Sequence, residues 1–429
     1  MIDIKRRTLK NGLRVAAVPI AGLRSASALL AMEAGQFFEP AGRPGVARLT
    51  AQAMLRGTAR RDARAWSDAL DGLGASARLD VGSHAAVFSG QCLADDLGGY
   101  LDLVAETVVT PALAPAGLEF VRLQALADLE EAKKDTRSVA DQTWRELTYP
   151  AGHPFRTRSI GDEQVVRTAT IDEVRAHHRA AIRAAGSVLV LAGALEADRA
   201  FEAAERAFGG WAGGDRLDRV IRPVLLDGQR RRVVVVPDKT QADIVLGWPG
   251  LPRTDPRFTK AQVTNMVFAA DTFASRAGQV VRDQLGLAYY VFSTLAGTAA
   301  QGPWTVRMGV NPDNVERAIA VTFTELNKIR DGDVADDDLA LARDKLVGEL
   351  EVGRESPNGV AAMVLEAELF HLGDDHLERY PRDLRAVTKA DVVAIASELL
   401  PIDRYALAIA GPELPTAPTR TATERPDRG

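Results

Sequence analysis

One cysteine in 429 residues, Cys92, excludes an internal disulfide and any zinc site built from several thiolates. It lies in an alternating apolar stretch with Val87, Phe88 and Leu93, which marks a small buried hydrophobe rather than a nucleophile. No apolar run is long enough to span a bilayer. Excess positive charge is missing too. The net charge is −5, and without a clustered cationic face a nucleic-acid partner is not expected. The densest basic run, Arg56-Gly57-Thr58-Ala59-Arg60-Arg61, reads as a solvated loop or helix end. Histidines are few: His84, His153, His177, His178, His371 and His376. His177 and His178 are adjacent, so on a helix they diverge by about a hundred degrees and cannot share a ligand. Glu368 and His371 have the i, i+3 spacing of carboxylate-bridged iron bundles, but such bundles need the motif twice. An ordinary helix-face pair accounts for it.

What is present describes a large globular chain. With 46% hydrophobic and 26% charged residues, the length favours two domains of similar size, each with its own core. The N-terminus carries Asp3, Lys5, Arg6, Arg7 and Lys10, then Asn11-Gly12, a hairpin-turn signal in place of a secretory apolar region. The expected compartment is cytoplasmic for the chain as given, or periplasmic if a leader has been removed.

The chain also resembles itself. Arg14-Val15-Ala16-Ala17-Val18-Pro19 is echoed by Arg232-Val233-Val234-Val235-Val236-Pro237, an offset of 232 − 14 = 218. Thr170-Ile171-Asp172-Glu173-Val174 is echoed by Thr388-Lys389-Ala390-Asp391-Val392, again 218 apart. So is the strand Ser187–Gly193 with Tyr405–Gly411. Three matches at one offset imply two homologous halves, with a period too long for a solenoid. Thr170 and Thr388 are helix N-cap candidates with acidic residues in the first turn. The expected organisation is an N-terminal domain over 1–212, a linker over 213–230, a C-terminal domain over 231–411 and a disordered Pro/Thr/Arg-rich tail over 412–429. Strands occur with amphipathic helices such as that implied by Leu118, Val121, Leu123, Leu126 and Leu129. This predicts an α+β fold, two α/β-sandwich halves in which a mixed sheet is covered by helices.

One segment of the second half is specific. Thr272-Phe273-Ala274-Ser275-Arg276 precedes Val281-Arg282-Asp283-Gln284-Leu285-Gly286-Leu287-Ala288-Tyr289. It resembles the segment of pitrilysin-like (M16, subgroup M16B) metallopeptidases in which a Ser-Arg pair is followed by an Arg and a Leu-Gly-Leu-Ala-Tyr stretch. Gln241-Ala242-Asp243-Ile244, Gly247, Pro249-Gly250 and Asp255-Pro256 fit the same order, as do Leu9–Val15, Glu33-Ala34-Gly35, Glu39-Pro40, Gly45 and Gly57-Thr58 in the first half. Catalytic members carry His-x-x-Glu-His before the Gly-Thr pair, two zinc ligands and a general base. Here those positions hold Arg48, Ala51 and Gln52, although carboxylates survive from Asp128 to Glu131, near the third ligand. This chain is expected to bind no metal.

The resemblance implies a non-catalytic subunit of a heterodimeric peptidase. Zinc and the His-x-x-Glu-His motif would belong to a partner homologue, and extended peptides would be the substrate. Arg282 and Tyr289 would be this chain's substrate-binding residues, since a guanidinium and a phenol can stabilise the developing oxyanion or grip a nearby carbonyl. Their bland alternatives are an ion pair of Arg282 with Asp283 and a half-buried Tyr289. Strand alternation sends the neighbouring Tyr290 to the opposite face. A second functional reading is a structural subunit of the respiratory core-protein type with no part in proteolysis. A third, a homodimeric peptide-binding module, has less to support it.

Overall fold

A computed structural model describes residues 2–215, 217 and 219–415. The expected tail lies outside the described residues from 416 onward. Among the described residues, eleven strands form two sheets. The first contains β1 (Lys5–Thr8), β2 (Arg14–Pro19), β3 (Ser25–Met32), β4 (Ser76–Val81), β5 (Ala86–Leu93) and β6 (Val188–Gly193), in the spatial order β1-β2-β6-β3-β5-β4. The second contains β7 (Arg230–Val235), β8 (Ala242–Pro249), β9 (Ala288–Leu295), β10 (Pro303–Val310) and β11 (Ala406–Gly411), in the order β7-β11-β8-β10-β9. Leaving out β1, which the Asn11-Gly12 turn folds back on β2, the two orders are the same. In each sheet the opening strand runs parallel to the closing one, and every other pair is antiparallel. The duplication is therefore topological.

Thr170 and Thr388 both make capping boxes, with Glu173 and Asp391 reaching back to the cap N–H. Gly193 and Gly411 occupy equivalent strand ends for one steric reason. A Cβ there would lie 2.3 Å from the Ser25 carbonyl oxygen or 2.8 Å from Ala242 Cα, where the next strand crosses. The opening match needs correction. Arg14 stands opposite Val188, whereas the residue opposite Ala406 is Arg230, so the structural offset there is 216 rather than 218. A run of valines tolerates a two-residue slip because it leaves every side chain on its original face. Leu123 also departs from expectation. In the helix Pro115–Lys134 the buried positions are Leu118, Val121 and Ala125, and Leu123 is 67% exposed on the far side.

Each sheet has two apolar faces. One is covered by helices of its own half: Val15, Leu30, Phe88 and Tyr100 belong to the first core, Ile244, Trp304, Val306 and Leu326 to the second. The other face is covered by the opposite half. The helix Thr136–Thr148 lays Ala140 and Trp144 on Val245, Ala406 and Ala408 of the second sheet. The helix Pro357–Leu369 lays Val360, Ala361, Val364 and Leu365 on Leu29, Ala31, Val188 and Val190 of the first. The halves thus exchange helices.

Candidate functional site

The positions of the missing zinc motif lie on the helix Val46–Met54. Glu39 starts this helix by accepting from the N–H groups of Gly45 (2.7 Å) and Ala47 (3.1 Å). Spacing of i, i+3 and i+4 places Arg48, Ala51 and Gln52 along one side, and each has other employment. Arg48 donates to Asp128 on the neighbouring helix at 2.7 Å. Ala51 is buried in the first core. Gln52 Nε2 donates to the backbone oxygen of Leu79 at 3.1 Å, on the edge strand β4. Zinc needs lone pairs from imidazole, thiolate or carboxylate. Here a guanidinium neutralises the Asp128 carboxylate, a methyl replaces the base and an amide N–H is turned toward a carbonyl. The donor set does not fit the metal. Among the described residues no three His, Cys, Asp or Glu side chains converge to hold one.

Among the described residues the histidines and the cysteine do not gather into a metal-binding group, and His177 Nε2 is buried without a hydrogen-bond partner. His178 Nε2 lies 2.8 Å from the Val108 carbonyl, while His177 is buried with its pKa lowered to about 4 by burial and by His178 and Arg219. Burial, with Asp96, pushes the Cys92 thiol up to about 12, which keeps it protonated. Glu368 and His371 do not share a helix face. The helix ends at Leu369 and His371 follows in a left-handed conformation (φ 52°). Glu368 binds Arg6 at 2.6 Å, and His371 contacts Arg14 at 3.4 Å.

Arg282 and Tyr289 come together. Gly278–Gln284 forms a π-helix, with Leu285 N–H bonded to Val280 C=O at 3.1 Å. Gly286, at φ 60°, turns the chain into β9. Gly309 pairs with Tyr290 and Val310 with Ala288, so Tyr289 is the unpaired residue of a β-bulge at the start of an edge strand. Arg282 Nε donates to the freed Tyr289 carbonyl at 3.0 Å, its Nη1 pairs with Asp283, and its guanidinium carbon lies 4.6 Å from the centre of the Phe273 ring. The ion pair with Asp283 exists, but as one of three contacts. Tyr289 is 77% exposed rather than half-buried, so nothing among the described residues closes a chamber over it. Neither the Tyr289 hydroxyl nor Arg282 Nη2 makes a hydrogen bond among the described residues.

Tyr290 does not share the exposure of Tyr289. Its hydroxyl donates to Asp243, a 2%-exposed carboxylate that also accepts from the Thr136 hydroxyl and lies 3.7 Å from Arg137. Burial and the Asp243 charge push the Tyr290 pKa up. Nearby, Asp141 is clamped by Arg145 (2.7 Å) and Arg307 (2.6 Å). Burial alone would raise its pKa, but the two guanidinium groups outweigh that and hold it down to about 2. Sequence reasoning missed this polar seam between the exchanged helix and the second sheet. Its one visible signal was an aspartate inside the apolar strand Ala242–Pro249. Phe273 was quoted only as part of a motif. Its exposure, and the guanidinium over its ring, could not be read from one sequence.

Comparison with known proteins bears on the family and the fold. Residues 14–153 match the Insulinase (Peptidase family M16) family, and residues 168–346 match the Peptidase M16 inactive domain. An uncharacterized zinc protease of Streptomyces coelicolor is 25% identical over 419 residues, 95% of this chain and 90% of that protein. One from Mycobacterium tuberculosis is 26% identical over 418 residues, with 95% and 93% covered. Among solved structures, a peptidase M16 inactive domain from Pseudomonas fluorescens superposes with a TM-score of 0.91 at 23% identity, covering 97% of this chain and 100% of that one. A protease from Helicobacter pylori gives 0.89 at 16% identity, covering 96% and 100%. With both halves matched in order, and the same architecture found in the structural neighbours, this chain belongs to the M16 peptidase family.

Proposed function

We propose that this chain is the metal-free subunit of a two-chain M16 peptidase, and that Arg282 and Tyr289 contribute to a hydrolytic centre whose zinc is held by a His-x-x-Glu-His homologue. The observation that carries this is a contrast within one molecule. At the old motif the side chains are turned onto partners within their own half, Arg48 onto Asp128 and Gln52 onto the Leu79 carbonyl, whereas Tyr289 is 77% exposed and its hydroxyl has no hydrogen bond among the described residues. Exposed donors at an open strand edge suit an extended peptide, whose carbonyls they can receive and whose backbone can add to the edge. As the scissile carbonyl gains negative charge, a preorganised phenol O–H or guanidinium N–H stabilises it more than it stabilises the ground state.

The test is peptide cleavage by this chain alone, by its zinc-bearing homologue alone and by the two together. The mixture should cleave far faster than either component. Arg282→Ala with Tyr289→Phe should lower turnover of the complex by roughly a hundredfold or more. Full turnover by the double variant would instead favour the structural-subunit reading, and cleavage by this chain alone would defeat the proposal.

A further inference from the structure

The surface around Arg282 is more apolar than gripping a peptide backbone requires. Phe273 is 66% exposed, Leu285 39% and Tyr289 77%; the Phe273 ring lies against the Arg282 guanidinium, whose Nε donates to the Tyr289 backbone carbonyl. Such side chains on a soluble surface mark contact sites when they cluster. Phe273 is also firmly mounted. The Asp271 carboxylate accepts from the N–H groups of Phe273 and Ala274, both at 2.7 Å, and pairs with Lys345. Burial acts to raise the Asp271 pKa, but Lys345 and the two N–H groups prevail and lower it, so the turn stays charged and fixed near neutral pH. A pinned backbone thus presents an exposed ring, one side of which is held by Arg282.

Building on the proposed peptide-gripping role, we infer that Phe273 is a specificity-determining residue: its free ring surface receives a bulky apolar side chain of the bound peptide while Arg282 and Tyr289 hold the adjacent main chain. A peptide, rather than a docked protein, is the occupant for two reasons. The three side chains expose only roughly 300–400 Å², well short of the ~800 Å² per partner of a stable protein interface. Phe273 also stands against the Arg282 guanidinium, beside the open edge of β9, where single main-chain carbonyl groups of an extended peptide can be received. Alternating apolar contact and main-chain hydrogen bonding is how extended peptides are read.

The experiment uses the full chain and fluorescein-labelled dodecapeptides that differ only in one central residue: Leu, Phe, Ser or Asp. Affinity is read by anisotropy. The Leu and Phe peptides should bind roughly five- to twentyfold tighter than the Ser and Asp peptides. Phe273→Ala should bring that ratio below about two without weakening the Ser peptide, Phe273→Tyr should restore it, and Arg282→Ala should weaken all four alike. Circular dichroism of the variants checks that they fold. A ratio that survives Phe273→Ala, or no apolar preference at all, overturns the assignment of Phe273 and leaves the gripping role standing. Failure of all four peptides to bind overturns both. A self-dimer that dissociates on Phe273→Ala, seen by sedimentation, would make the patch a subunit contact and likewise overturn the assignment.

Discussion

The two halves share a strand order and part company at their edges. In the first half, Gln52 reaches from the former metal-binding helix to the Leu79 carbonyl of the edge strand, and Arg48 is held by Asp128. In the second, a β-bulge and a π-helix leave Tyr289 and Arg282 with donors to spare. Duplication therefore supplied one scaffold twice, and side-chain choices set the two edges apart. A lost metal site need not be a hole. Here Arg48 and Gln52 each find a partner elsewhere in the same half and Ala51 packs in its core, so the fold stays intact.

The comparison can be broken most forcefully at the exchanged helices. Trp144 is fully buried against the second sheet, and Leu365 stands at the corresponding place against the first. Trp144→Ala should cost about 4 kcal/mol and Leu365→Ala about 3 kcal/mol, measured by denaturant unfolding. Each should lower the unfolding midpoint of both halves together, because each helix belongs to one half and seals the other. Two separated transitions would show that the halves are independent units.

Acid sharpens it further, since each half buries one imidazole. His177 has its pKa lowered to about 4 by burial, with His178 and Arg219 adding to it; His376 is lowered to about 4 by burial first and then by Arg253. Both stay neutral in the fold, while the unfolded chain takes up a proton near pH 6.5. The stability they confer is thus complete above pH 6.5 and is lost as pH falls from 6.5 toward 4. Replacing either residue by Gln should reduce the stability difference between pH 7 and pH 4.5 by about 2 kcal/mol. A flattened profile for only one variant would place the start of acid unfolding in that half. The smallest effect belongs to the former metal site. Arg48→Ala removes a partly exposed ion pair and should change stability by less than about 1 kcal/mol. A much larger loss would mean that the pair does more than fill the space.

The halves, the Thr170 and Thr388 caps and the Arg282–Tyr289 segment were legible because each depends on local chemistry: a capping box, a glycine where strands cross, a short dense motif. Three features were not legible. The two-residue slip of β7 escaped because a Val-rich strand matches itself in more than one register. The polar seam of Asp243, Tyr290, Thr136 and Arg137 joins residues more than a hundred positions apart, with only a buried aspartate to announce it. The exposure of Leu123 contradicts a helical pattern drawn through every leucine, because five positions along a helix turn a side chain by about 140 degrees.

The exchanged helices carry one more consequence. Because each half lends a segment to its twin, the connection between them is not the only thing that keeps them joined. A molecule nicked there should persist as a clasped pair of fragments, whereas either fragment made separately would display a bare apolar sheet. Such a protein has to mature as one piece and can then survive being cut into two.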